Sequence, residues 1–171
     1  MERPRLLPSL FVELFQTERS AYRHPIREAG RLGDVPPSIA LRAVAAHANE
    51  ALDELPKLAR TRGIRLTSAG QLVGETFSAV RHFVVDRFLD VERSYRGTLL
   101  GMRHGIDLVR LLRAAADDEA DAELVAWCDR WLPVRERLVA GVEADLAWLA
   151  RRPALALRHP VPLLGLAHAR T

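Results

Sequence analysis

Four long stretches of this chain carry apolar residues at intervals of three and four, and that period leaves a bundle of amphipathic helices as the fold they can build together. Phe11, Leu14, Phe15, Tyr22, Ile26 and Ala29 mark the first, from about Ser9 to Leu32, with Pro25 expected to kink it and Gly33 to end it. In the second, Leu41, Val44, Ala45, Ala48, Leu52, Leu55 and Ala59 share a face, Ser38 is placed as the N-cap and Gly63 as the stop. A shorter amphipathic segment, Ala69 to Phe83, precedes the third stretch, either separate from it or continuous with it. The third begins near Asp86 and closes in "AAADDEAD", whose acids suit the N-terminus of the fourth. That last stretch, about Ala122 to Arg151, aligns Leu124, Cys128, Trp131, Leu138, Val142 and Leu149, and Pro133 should bend or break it. The remainder, "PALALRHPVPLLGLAHART", has three prolines and no helical period. The expected organisation is one all-α domain, residues 1–152, followed by an extended apolar tail, residues 153–171.

Composition supports one soluble domain. The chain has 171 residues, 49% of them hydrophobic, and its bias toward Ala, Leu and Arg with few aromatic residues favours helix over strand. Its 25 basic residues exceed its 22 acids only slightly and are scattered, which is poor support for a nucleic-acid partner. Lys57 is the only lysine, a bias that a GC-rich genome produces without selection. A single cysteine, Cys128, excludes an internal disulfide and any multi-cysteine zinc site. No apolar run approaches the ~18 residues of a membrane span, and the first fifteen residues lack a cleavage site, so a cytoplasmic protein is expected.

Charge enters the apolar stripes. Projected around Leu99, the third helix places Phe88, Glu92, Tyr95, Met102 and Ile106, but also Arg96, Arg103 and Arg110, within roughly 60° of the stripe's centre. Glu92 with Arg96, and Arg103 with Asp107, stand four apart, where opposite charges on a helix meet. In the first helix Glu18 lies mid-stripe with Tyr22 one turn on, and in the fourth Arg135 and Asp145 point inward. A buried charge costs several kcal/mol unless paired, so these acids require metal, arginine or a proton.

The pairing of "TERSAYR" in the first helix with "VERSYR" in the third, each a Glu followed by a Tyr about one turn later, is similar to the internal pseudo-repeat of the ferritin-like superfamily, particularly its small bacterial members. The resemblance implies a ferritin-like four-helix bundle with an extra short helix between helices two and three, and it puts Glu18 and Glu92 at the two central carboxylate positions. A diiron site of that family also needs a Glu-x-x-His on helices two and four. Helix two offers only "HANE", with His47 and Glu50 in reversed order, and helix four has no histidine. A degenerate centre is expected, in which Arg96, Arg103 and Arg135 neutralise Glu18 and Glu92. No cofactor is then required; iron or another divalent metal, on Glu18 and Glu92 with His47 and Glu50, is the alternative.

Other features bear on partners. Gly97, Gly101 and Gly105, joined by Ser94, form a face opposite Leu99, and three mid-helix glycines cost roughly 3 kcal/mol relative to alanine. Close packing must offset that, against Ala69–Phe83 or in a homodimer seam. The tail could dock on a protein partner or fold back on the bundle. Residues from Leu58 to Phe83 also admit a helix-turn-helix reading with Ser68–Phe83 as recognition helix, but it offers only Gln71 and Glu75 before Arg81, which is poor support for base reading. Cys128 and the tryptophans Trp127, Trp131 and Trp148 have core or flank spacing, and no phosphate loop or serine elbow is present. The expected function is a non-catalytic structural or protein-interaction module that self-associates, with a metal-binding protein second and a DNA-binding regulator third.

Overall fold

The computed structural model describes residues 6–66 and 90–158, and these residues form helices with no strand among them. Four are long: α1 (Leu6–Leu32), α2 (Pro36–Thr61), α3 (Val91–Asp118) and α4 (Ala122–Ala144). Two short ones, α5 (Leu146–Ala150) and α6 (Pro153–Ala156), follow. The segment Ala69–Phe83, and with it the helix-turn-helix reading, lies outside the described residues, as does the tail beyond residue 158.

The helix ends have local causes. Gly33 and Gly63 adopt φ of +83° and +67°, where a Cβ would be strained, and so terminate α1 and α2. Ser38 does not cap α2. The helix starts two residues earlier on Pro36 and Pro37, which have no N–H to satisfy, and the Ser38 hydroxyl donates instead to the Gly33 carbonyl at 2.6 Å. Asp90 and Asp121 cap α3 and α4 by accepting the backbone N–H groups of Arg93 and Leu124. Helix α1 continues through Pro25 and α4 through Pro133. The expected single fourth helix divides at Asp145, whose N–H reaches back to the Gly141 carbonyl at 3.3 Å, and resumes as α5.

Helix α1 packs on α2 and α3, and α4 packs on the same two. Neighbours run antiparallel: Glu28 near the end of α1 meets Ser94 at the start of α3, while His47 and Arg62 of α2 meet Arg135 and Asp121 of α4. Helices α2 and α3 therefore lie across the diagonal and run parallel. The chain between Thr61 and Asp90 must join opposite ends of a bundle roughly 40 Å long, the length of a helix the size of α2. That is a four-helix bundle with one long crossover.

Helix α3 corrects the sequence projection. Its buried residues, among them Ser94, Tyr95, Thr98, Met102, Gly105, Val109, Leu112 and Ala116, centre roughly a quarter turn away from Leu99. The helix touches both α1 and α4, so its buried sector is wide and includes small polar residues that a hydrophobicity projection leaves out. Arg96, Arg103 and Arg110 consequently lie on the exposed side. The first residues of the expected tail are also not extended: Pro153–Ala156 form a helical turn, and the Arg158 carbonyl accepts the Val91 N–H at 3.2 Å. No described helix is long and apolar enough to cross a membrane.

Candidate functional site

The centre of the bundle is built by α1, α2 and α4. Glu18 sits midway along α1 and Arg135 midway along α4, and both side chains are 0% exposed. Arg135 Nη2 donates to Glu18 Oε2 at 2.5 Å, and its Nε donates to His47 Nδ1 at 3.1 Å. Accepting at Nδ1 makes His47 the neutral tautomer with its proton on Nε2. Trp131, one turn before Arg135, presents its ring 4.6 Å from the guanidinium carbon, and the His47 ring lies 5.5 Å from the same indole. The buried cation is thus held by a carboxylate, an imidazole lone pair and an aromatic face.

Burial sets the electrostatics. It raises the Glu18 carboxyl to about 6 against the opposing pull of Arg135, and it lowers Arg135 itself. His47 falls to about 4, first through burial and then through the Arg135 charge, so it is neutral at pH 7. Glu18 Oε1, Arg135 Nη1 and Trp131 Nε1 are buried with no hydrogen-bond partner among the described residues. On the outer side of His47 a cleft of about 200 Å³ opens between α2 and α4, where Glu50 and Arg130 flank the buried Trp127–Trp131 pair and Glu54 accepts the Trp127 indole N–H at 2.5 Å.

Of the expected polar network, the structure brings Glu18 and Arg135 together in the core, and it keeps the expected Glu92–Arg96 pair but on the surface and away from Glu18. Glu92 is half-exposed in the first turn of α3, where its negative charge favours the helix N-terminus, and it pairs with exposed Arg96 at 2.6 Å. It does not share a layer with Glu18: its turn of α3 meets Glu28, whereas Glu18 lies against Gly105. Arg103 pairs across the surface with Glu143 at 2.7 Å, leaving Asp107 to Arg110 at 3.1 Å. Tyr22 is on the rim of α1, 37% exposed. Tyr95 is buried and donates its hydroxyl to the Val142 carbonyl at 2.8 Å; Asp145, half-buried, has its carboxyl raised by desolvation. Cys128 is buried, its thiol pushed up to about 12 chiefly by desolvation, which suits a core residue rather than a nucleophile.

The glycine face also reads differently in three dimensions. Ser94 and Gly105 are buried, with Gly97 and Gly101 half-buried between them. A Cβ on Gly105 would stand 3.3 Å from Thr17 Cγ2 and 3.8 Å from Glu18 Oε1, so this glycine lets α1 approach α3 beside the buried carboxylate. That end of the run faces α1, not a second copy. Gly105→Leu is expected to destabilise the fold by about 1 to 3 kcal/mol in urea unfolding, since a large side chain there must displace α1.

Sequence projection missed three groups. Glu28 is buried and accepts from Ser94 Oγ at 2.6 Å and from Arg31 at 3.1 Å. At the opposite end, Arg62 donates to Asp121 at 2.5 Å and to Glu123 at 3.1 Å, tying α2 to the cap of α4. Glu54 of the cleft went unnoticed because it stands on the polar flank of α2. The available signal for Glu28 was its spacing of seven from Ala21 and of four from Leu32, which puts it on the same side of α1 as those two buried residues.

The donors present do not fit a diiron centre. Glu18 and His47 both already serve Arg135, so a divalent cation between them would occupy the guanidinium's place. Glu92 is elsewhere and Glu50 is exposed. No group of three His, Cys, Asp or Glu side chains suited to a metal occurs among the described residues. Compared with known proteins, the chain matches no family model, no curated protein and no solved structure.

Proposed function

We propose that this protein is a ferritin-like bundle whose centre has become structural, and that it works as a non-catalytic interaction module through its outer surface. The observation that carries this reading is Arg135, a permanent cation held between Glu18 and His47 where a carboxylate-bridged metal would otherwise stand. The single long crossover and the antiparallel pairing of α1 with α3 and of α2 with α4 support the ferritin-like topology. A buried carboxylate already neutralised by arginine, with no open route to it among the described residues, is poorly placed for acid–base chemistry on a substrate.

Elemental analysis of protein expressed with iron, manganese and zinc supplied tests the reading. The expected result is substoichiometric metal that is the same in the wild type, Glu18→Ala and His47→Ala. Near-stoichiometric metal that disappears in those two variants would falsify the structural centre and restore the metal-binding alternative.

A further inference from the structure

Arg19, Arg23 and Arg27 recur every four residues along the outer side of α1. Arg23 and Arg27 are exposed, Arg19 is half-buried, and among the described residues no carboxylate pairs with any of the three. The contrast with α3 is informative. There Arg96, Arg103, Arg110 and Arg113 each reach a carboxylate within 2.6 to 2.8 Å. On α1 the available acids are otherwise engaged: Glu13 pairs with His104, while Glu18 and Glu28 are buried. Like charges four apart oppose helix formation, so the ridge is a cost to this helix that nothing within the described bundle offsets. Its field reaches His24, whose imidazole is depressed first by burial and then by Arg27 and Arg23.

Two large apolar side chains lie in the same ridge. Tyr22 is 37% and Ile26 45% exposed, giving the order Arg19, Tyr22, Arg23, Ile26, Arg27 at helical spacing. We propose that this ridge is a docking surface for an acidic amphipathic helix of a partner protein, with carboxylates every four residues facing the arginines and apolar side chains covering Tyr22 and Ile26. The apolar pair favours a protein helix over a phosphate backbone, which asks for cations alone. The chain's charge excess of only +3 points the same way. The proposal names a partner class for the surface-acting role above and rests on it.

The test is fluorescence anisotropy of the full chain with a labelled synthetic helix of leucine and glutamate, its glutamates four apart beside a leucine stripe. A scrambled peptide of equal composition and a short duplex DNA serve as comparisons. The patterned peptide should bind more tightly than the scrambled one, and the Arg19→Gln, Arg23→Gln, Arg27→Gln triple variant should weaken it at least about tenfold. Tyr22→Ala should weaken it severalfold while leaving the melting temperature near the wild type, because the side chain sits on the rim. Absence of patterned-peptide binding, equal binding of the scrambled peptide, indifference to the triple variant, or arginine-dependent binding of DNA alone each overturns the docking surface. Metal analysis is independent of these measurements, so a metal-free centre with no peptide binding removes this inference and leaves the structural centre in place.

Discussion

Arg135→Met is expected to lose about 3 to 5 kcal/mol of stability in urea unfolding, because it leaves Glu18 buried beside no compensating charge. The paired variant Glu18→Leu, Arg135→Met should recover most of the loss, since exchanging a buried ion pair for well-packed apolar side chains is often neutral or better. Recovery in the double variant separates an uncompensated charge from simple loss of arginine packing, which the second substitution would not repair. A loss below about 1 kcal/mol in the single variant would place Glu18 within reach of water and contradict its complete burial.

The second large effect is a change in acid sensitivity on replacing His47. Its folded pKa of about 4 lies below the unfolded 6.5, so the unfolded state binds the proton more readily. The stability this group contributes is present above pH 6.5 and is lost as pH falls toward 4. Protonation at Nδ1 also removes the acceptor for Arg135 and sets two cations side by side. Glu18 acts in the opposite sense: its folded pKa of about 6 exceeds the unfolded 4.5, so acidification between those values stabilises the native state. Wild-type stability should therefore begin to fall just below pH 6.5, change little between 6 and 4.5 where the two effects oppose, and fall again toward 4. His47→Gln keeps an acceptor for the Arg135 N–H and removes the titration. After discounting for the partial exposure of the imidazole, the variant should be spared roughly 2 kcal/mol of acid loss by pH 4. Parallel stability curves for the two proteins between pH 7 and 4 would show that His47 titrates alike in both states.

The four long helices, their order and the stops at Gly33 and Gly63 were legible in the sequence, because hydrophobic period and left-handed glycines act within a few residues of the chain; the division at Asp145 and the short helix Pro153–Ala156 were not. Also legible was the inward position of Glu18 and of Arg135, since each falls among apolar residues at helical spacing. The partner of each charge was not legible. Arg135 reaches Glu18 because α1 and α4 face each other across the bundle, and it reaches His47 because α2 runs antiparallel to α4; neither relation is contained in any one helix. Helix α3 shows the same limit. A projection weighted by leucine centred it on Leu99 and turned its arginines inward, whereas packing against two neighbours at once buries Ser94, Thr98 and Gly105 and turns Arg96, Arg103 and Arg110 to solvent. Which side of a helix is inside depends on how many neighbours it has and how closely they approach, and small residues that permit approach carry little hydrophobic signal. The separation of Glu92 from Glu18 follows from that packing as well, since the level at which α3 meets α1 is set by the contacts of Ser94 with Glu28 and of Gly105 with Thr17.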